Sequence, residues 1–161
     1  MKQLIKISGL AFAALVLAGL LYPATGDAQQ KDKGDKGKQK KEKVYEVGAD
    51  GLKIETKLAE TDAKDKVRIE AYCKVYLVKM AKGTKYEVRM NAADTKELDP
   101  LLRIEDAKGK EFAFNDDAPG ENTLNSRIDF TPEEDGVYRI ITTSFNKEAK
   151  GDFTLLIKTI K

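Results

Sequence analysis

The sequence contains no histidine, no tryptophan and a single cysteine, and each absence narrows what the chain can do. Without histidine there is no imidazole to act as general base, to complete a Ser-His-Asp constellation or to fill the usual catalytic zinc sets. Serine is scarce as well: beyond residue 28 only Ser126 and Ser144 occur, neither in a nucleophile-elbow context. Carboxylates are plentiful, at 27 Asp and Glu. A glycoside-cleaving pair, however, works in a cleft with stacking aromatics, and the missing tryptophan argues against one. No glycine-rich phosphate cradle opens a helix. The chain is therefore expected not to be an enzyme. Cys73 cannot make an internal disulfide; within the apolar run Val67 to Met80 it reads as a small buried hydrophobe. The alternative, a reactive or intermolecular thiol, lacks a histidine to activate it.

The long apolar stretch stands at the start. Lys2 and Lys6 precede the uncharged run Leu10 to Leu21, Pro23 follows, and Gly26-Asp27-Ala28 puts small residues at the third and first positions before a cut after Ala28. That is the layout of a signal peptide, residues 1–28. Even the widest apolar span, Ile7 to Tyr22, is 16 residues, short of the roughly 20 that a spanning helix needs. No membrane span is thus expected after cleavage, and the destination is the periplasm, the cell envelope or the medium. Residues 29–43 follow as a Lys-rich linker. Positions 31–43 hold seven Lys against two Asp and one Glu, a net charge of +4 that contrasts with −3 for residues 44–161. Such a composition cannot bury enough apolar surface to offset its ordering entropy and is expected to be disordered. It reads as a spacer, with weak, salt-sensitive contact to anionic surfaces as the alternative. Nucleic acid is not an expected partner: the segment has no aromatic or Arg side chain to stack on bases.

Residues 44–161 suffice for one core and not two, and their pattern has period two. Tyr86-Glu87-Val88-Arg89-Met90 alternates apolar with charged, and Arg103-Ile104-Glu105 and Phe153 to Ile157 continue the pattern, so one face packs and the other meets water. Strands are expected near 44–48, 52–58, 67–80, 84–92, 100–106, 110–115, 125–130, 136–145 and 152–160, with turns at Gly83, Gly109, Pro119-Gly120, Gly136 and Gly151. Lys57 to Lys66 is too polar to dock as a helix and is read as a loop. The fold class is all-β, an antiparallel sandwich of about eight strands.

Val75 to Lys158 carries a resemblance. Tyr76, Val78 and Met80 precede Gly83; Asp99 is followed by Leu101-Leu102; Asp106 and Gly109 mark a turn before Asn115-Asp116-Asp117. Then come Asn125-Ser126 before Ile128 and Phe130, Gly136-Val137-Tyr138 and Gly151-Asp152-Phe153. In order and spacing this stretch resembles the bacterial pre-peptidase C-terminal domain family. The resemblance implies a jelly-roll-like β-sandwich, usually a non-catalytic appendage of secreted proteases and other exported enzymes. It also implies kinship with the collagen-binding modules of clostridial collagenases, which calcium stiffens. Two features depart from the pattern: no peptidase domain precedes the module, and the acidic residue often found two places before the strand tyrosine is Lys74.

One segment, Asn115 to Asn122, has site-like chemistry. Hard oxygen ligands in a turn suit calcium, while Asp and Asn also cap turns through backbone amides, and Pro119-Gly120 completes a turn without an ion. Asp99 starts one expected strand and Asn115-Asp116-Asp117 end the next, so a hairpin at Asp106 to Gly109 would bring Asp99, Asn115, Asp116 and Asp117 to one edge. These four are the candidate metal residues. No cofactor is required, and calcium is the candidate ion. The expected function is a binding or accessory module for an extracellular protein or polysaccharide, the alternative being a structural envelope component that self-associates.

Overall fold

The computed structural model describes residues 42–161; the leader, and the Lys-rich linker apart from Glu42 and Lys43, lie outside them. Among the described residues there are ten strands and no helix: β1 (Val44–Glu46), β2 (Leu52–Leu58), β3 (Ala63–Lys64), β4 (Tyr72–Met80), β5 (Tyr86–Ala92), β6 (Pro100–Glu105), β7 (Glu111–Asn115), β8 (Ser126–Phe130), β9 (Gly136–Ser144) and β10 (Gly151–Thr159). None of these residues forms a helix long and apolar enough to cross a membrane. The first sheet runs β1-β4-β9-β6-β7 with β3 attached to β4, and the second runs β2-β10-β5-β8. All named pairings are antiparallel except the short parallel pair β1 and β4.

Alternation builds the core. On β5 the buried Tyr86, Val88 and Met90 interleave with Glu87 and Arg89, and the register sets Leu155 of β10 opposite Met90 and Ile157 opposite Val88. Cross-strand rows of this kind are the unit of sheet stability. They pack against Tyr76, Val78 and Met80 of β4, Ile104 of β6 and Ile140 of β9, so both sheets share one core. The expected all-β sandwich is the observed fold, with ten strands rather than about eight: the nine expected runs and, within the stretch read as a loop, the two-residue β3, which pairs with β4.

One boundary differs. The sequence suggests a strand across 67–80, yet β4 begins at Tyr72; residues 59–71 form a strap in which β3 (Ala63–Lys64) pairs with the edge of β4 and Asp65 reaches Arg103 on the outer face of the first sheet. The cause is Asp65. Its Oδ1 accepts the backbone N–H groups of Val67 (2.6 Å) and Arg68 (2.7 Å), and its own N–H donates to the Ala71 carbonyl (2.9 Å). An aspartate that satisfies amides two and three residues on favours a turn over a ladder. Val67 and Ile69, apolar and β-branched, are accordingly left 62% and 72% exposed.

Under the strap, β6 is buried at every position. Leu102 and Ile104 face the core, whereas Leu101, Arg103 and Glu105 point the other way, as alternation requires. Arg103 is bonded to Glu105 and lies 3.6 Å from Asp65 and 3.5 Å from Glu111. Glu105 also accepts from Arg139 Nε at 3.2 Å.

Removing one member of a buried ionic set strands the others. Arg103→Ala is expected to lose about 3–5 kcal/mol of unfolding free energy in urea. Val67→Ala, on the exposed strap, should stay within about 0.5 kcal/mol. If 67–71 behaved as a packed strand, the second substitution would cost as much as a core truncation.

Candidate functional site

The β6–β7 hairpin turns where the sequence indicates. Asp106 Oδ1 accepts the N–H groups of Lys108 (2.7 Å) and Lys110 (2.9 Å), and Gly109 takes a φ of +86° that closes the turn. These hydrogen bonds, that from Lys110 foremost, hold the Asp106 carboxyl below the usual carboxylate range. The register opposes Leu102 to Asn115, so Asp99, just before β6, and Asp116, just after β7, fall at the same end of the sandwich.

Asp99 is fixed through its carbonyl, which accepts from Ser144 Oγ (3.0 Å) and Phe145 N–H (2.9 Å). Its half-buried carboxyl is pushed above the ordinary value by burial, then by the charges of Asp117 and Asp116. The structure thus brings the three carboxylates within electrostatic reach. It does not gather them into a ligand set: among the described residues no group of three or more Asp, Glu or Cys stands close enough to hold a metal. The reason is local. Asn115 spends its side-chain oxygen on Arg127 N–H (3.2 Å) and its carbonyl on Ser126 Oγ (2.6 Å), and Asp116 Oδ1 accepts from Asp117 N–H (3.0 Å). Lys74, where the family resemblance leads one to look for an acid, bonds Asp62 of the strap at 2.6 Å.

The loop residue with the strongest partners is Glu121, which the sequence reading did not single out. It bridges Arg89 of β5 and Arg127 of β8, and the two arginines are direct cross-strand neighbours. The available signal was the alternation that sends Glu87 and Arg89 outward; the contribution of Glu121 from a loop depends on the crossing between sheets and is invisible in one sequence.

Among the described residues, the two serines and the thiol are engaged or covered. Ser126 Oγ donates to the Asn115 carbonyl and Ser144 Oγ to the Asp99 carbonyl, and both residues are fully buried. Cys73 is buried beneath the strap, where burial, with a smaller effect from the Asp65 charge, pushes its thiol up to about 11. An aromatic concavity of about 590 Å³ is flanked by Phe112, Phe130 and Tyr138, whose rings lie 5.3 to 5.9 Å apart. Lys110 Nζ stands 5.2 Å from the Phe112 ring.

No family model matches the sequence, and no curated protein matches it. Among solved structures the chain is similar to the pre-peptidase C-terminal domain of a collagenase from Bacillus anthracis, at 13% identity and a TM-score of 0.51, covering 73% of this chain and 96% of that domain. A second match is CorA of Methylomicrobium album BG8, a surface-associated copper-binding protein, at 9% identity and a TM-score of 0.45, covering 73% of this chain and 98% of that one. The first match, together with the two-sheet topology, shows a β-sandwich similar in fold to a pre-peptidase C-terminal domain.

Proposed function

We propose that the chain is a non-catalytic binding or accessory module of the cell exterior, engaging an extracellular macromolecule or a secreted partner. The observation that carries this reading is the commitment of its nucleophiles: both serines beyond the leader-like segment bond backbone carbonyls in the interior, and the thiol is buried and hard to ionise. The leader-like start and the basic segment before the domain support export, and the likeness in fold to an accessory domain of a collagenase is consistent with it.

The test is capture. The immobilised full chain should retain a protein or polysaccharide from the extracellular fraction of its source, saturably, and the purified component should bind back. Concentration-dependent self-assembly in sedimentation, with nothing retained, would replace this reading by that of a structural envelope component.

The thiol gives an independent check. Cys73 holds its proton more tightly in the folded than in the unfolded chain, so its contribution is intact below the unfolded value near 9 and is lost as the pH rises towards about 11. Tyr76, pushed up to about 12 by burial, acts with the same sign. Stability should therefore fall through this alkaline window and fall less in Cys73→Ala. Aromatic disulfide reagents at pH 8 should react with the folded chain only at the rate of opening.

Calcium at Asp99, Asp116 and Asp117 is a secondary proposal, supported by their placement at one end of the sandwich and by the Asp99 carboxyl, raised by burial first and by the charges of Asp117 and Asp116 next; it requires the three side chains to draw together around the ion. An ion there would relieve their mutual repulsion and stabilise the folded state by mass action. Millimolar calcium should raise the melting temperature over chelator at matched ionic strength, magnesium should do so less, and Asp116→Asn should remove the shift. Superimposable curves would end the proposal.

A further inference from the structure

On the outward face of the second sheet, Arg89 of β5 stands directly opposite Arg127 of β8. Like charges directly opposed across a sheet repel and destabilise it, unless an anion lies between them. That anion comes from outside the sheet. The connection 116–125 sends Glu121 over the pair: Oε2 accepts from Arg89 Nη1 (3.1 Å), and Oε1 accepts from both Arg89 Nη2 (2.5 Å) and Arg127 Nη1 (2.8 Å).

The sheet itself sets the aim of the two guanidinium groups. Glu87 lies 3.1 Å from Nε of Arg89, and Asp129 lies 3.7 Å from Nε of Arg127, each carboxylate two residues away on the same strand. Both terminal nitrogens of Arg89 and Nη1 of Arg127 therefore meet at one planar carboxylate, while Nη2 of Arg127 donates to the Pro119 carbonyl of the same loop (3.1 Å). The arginine side chains are only 22% and 23% exposed, against 34% for Glu121, so the fork is partly desolvated yet reachable.

Besides the Glu121 carboxylate, the tip is held by the Pro119 carbonyl on Arg127 Nη2 and by the turn bond from Glu121 N–H to the Ala118 carbonyl (3.1 Å). The base of the connection is anchored by buried Ala118, whose N–H donates to the Asn125 carbonyl (2.7 Å), and by Asn125 Oδ1, which accepts from Ala92 N–H (3.0 Å). At the tip Gly120 has a φ of +75°, a Cβ there would meet nothing within 4 Å, and Glu121 and Asn122 are exposed. Withdrawing the Glu121 side chain frees both terminal nitrogens of Arg89 and Nη1 of Arg127, with Nη2 of Arg127 still on the Pro119 carbonyl, and leaves the core closed.

We propose that Arg89 and Arg127 form a carboxylate-binding fork in which Glu121 is a displaceable resident, and that its ligand is an acidic side chain of a partner protein. The occupant itself, a glutamate presented on a turn, shows the chemistry that fits. The flanking Glu87 and Asp129 disfavour a dense polyanion, which would bring charge against them as well as onto the arginines.

This inference deepens the reading of the chain as a binding module, and acetate as a probe tests the fork apart from any capture. In the full chain, Glu121→Ala should melt lower than the parent, and sodium acetate should restore the loss saturably relative to sodium chloride at equal ionic strength. The parent should not respond, and Glu121→Ala with Arg127→Ala should not be restored. Poly-L-glutamate should bind Glu121→Ala about tenfold more tightly than the parent, as expected if the resident leaves the fork free no more than about a tenth of the time. Glu121→Gln, which keeps the size and loses the charge, should respond to acetate in the same direction. Identical responses to acetate and chloride in both variants would overturn the fork, and tighter binding of heparin than of poly-L-glutamate would overturn the assigned partner.

Discussion

A guanidinium group buried on the outer face of a sheet is the constraint around which one half of this sandwich is arranged. Arg103 is 3% exposed, and its Nε and Nη1 have no hydrogen-bond partner among the described residues. A buried charge is tolerated when opposite charges surround it, and Arg103 draws them from three directions: Glu105 along its own strand, Glu111 from the neighbouring β7 and Asp65 from the strap. Asp65 cannot be supplied without folding 59–71 across the sheet, so the strap is the structural consequence of the charge. Leu101, Cys73 and Ile141, apolar residues outside the main core cluster, are buried as well.

The two sheets differ for the same reason. In the first, the outward residues Leu101, Arg103 and Glu105 of β6 and Ile141 and Thr143 of β9 are buried. The second keeps an open outer face on which alternation has placed charge: Lys53 beside Glu55, Glu87 between Arg89 and Lys158, and Arg127 beside Asp129. Among these, Lys53–Glu55 is well exposed on both sides and contributes little to stability, whereas Glu87, Arg89 and Arg127 are largely covered, so the burden of folding rests first on the shared core and then on this partly desolvated charge set.

How far the sequence could be read follows the range of the interactions. Strands β5, β6, β7, β9 and β10 lie within one or two residues of their expected bounds because alternation and flanking glycines are local signals. The 67–71 segment failed because apolar, β-branched Val67 and Ile69 look like strand, while the deciding group, Asp65, acts through a turn and a contact with Arg103 that is 38 positions away in sequence. Local propensity loses there to a tertiary charge. The meeting of Asp99 with Asp116 and Asp117 at one corner could be foreseen because a single hairpin determines it. The Arg89, Arg127 and Glu121 constellation could not, since it needs the order of strands in the second sheet.

The loop that joins β7 to β8 shows why composition misleads about chemistry. From sequence, Asn115 to Asn122 is a store of oxygen ligands. In the fold its members are divided by direction: Asn115 and Asn125 turn inward to bond backbone amides of β8 and β5, Asp116 bonds the amide that follows it, and Glu121 reaches outward to the arginines. The division has a physical basis. The loop must cross from one sheet to the other, so both ends need their amides and carbonyls satisfied where the ladders stop, and short amide side chains serve best there. A residue at the tip is excused from that duty, and only there can a long carboxylate side chain be spent on a distant partner. Position within the crossing, more than the count of acidic residues, decides which oxygen is available to a ligand.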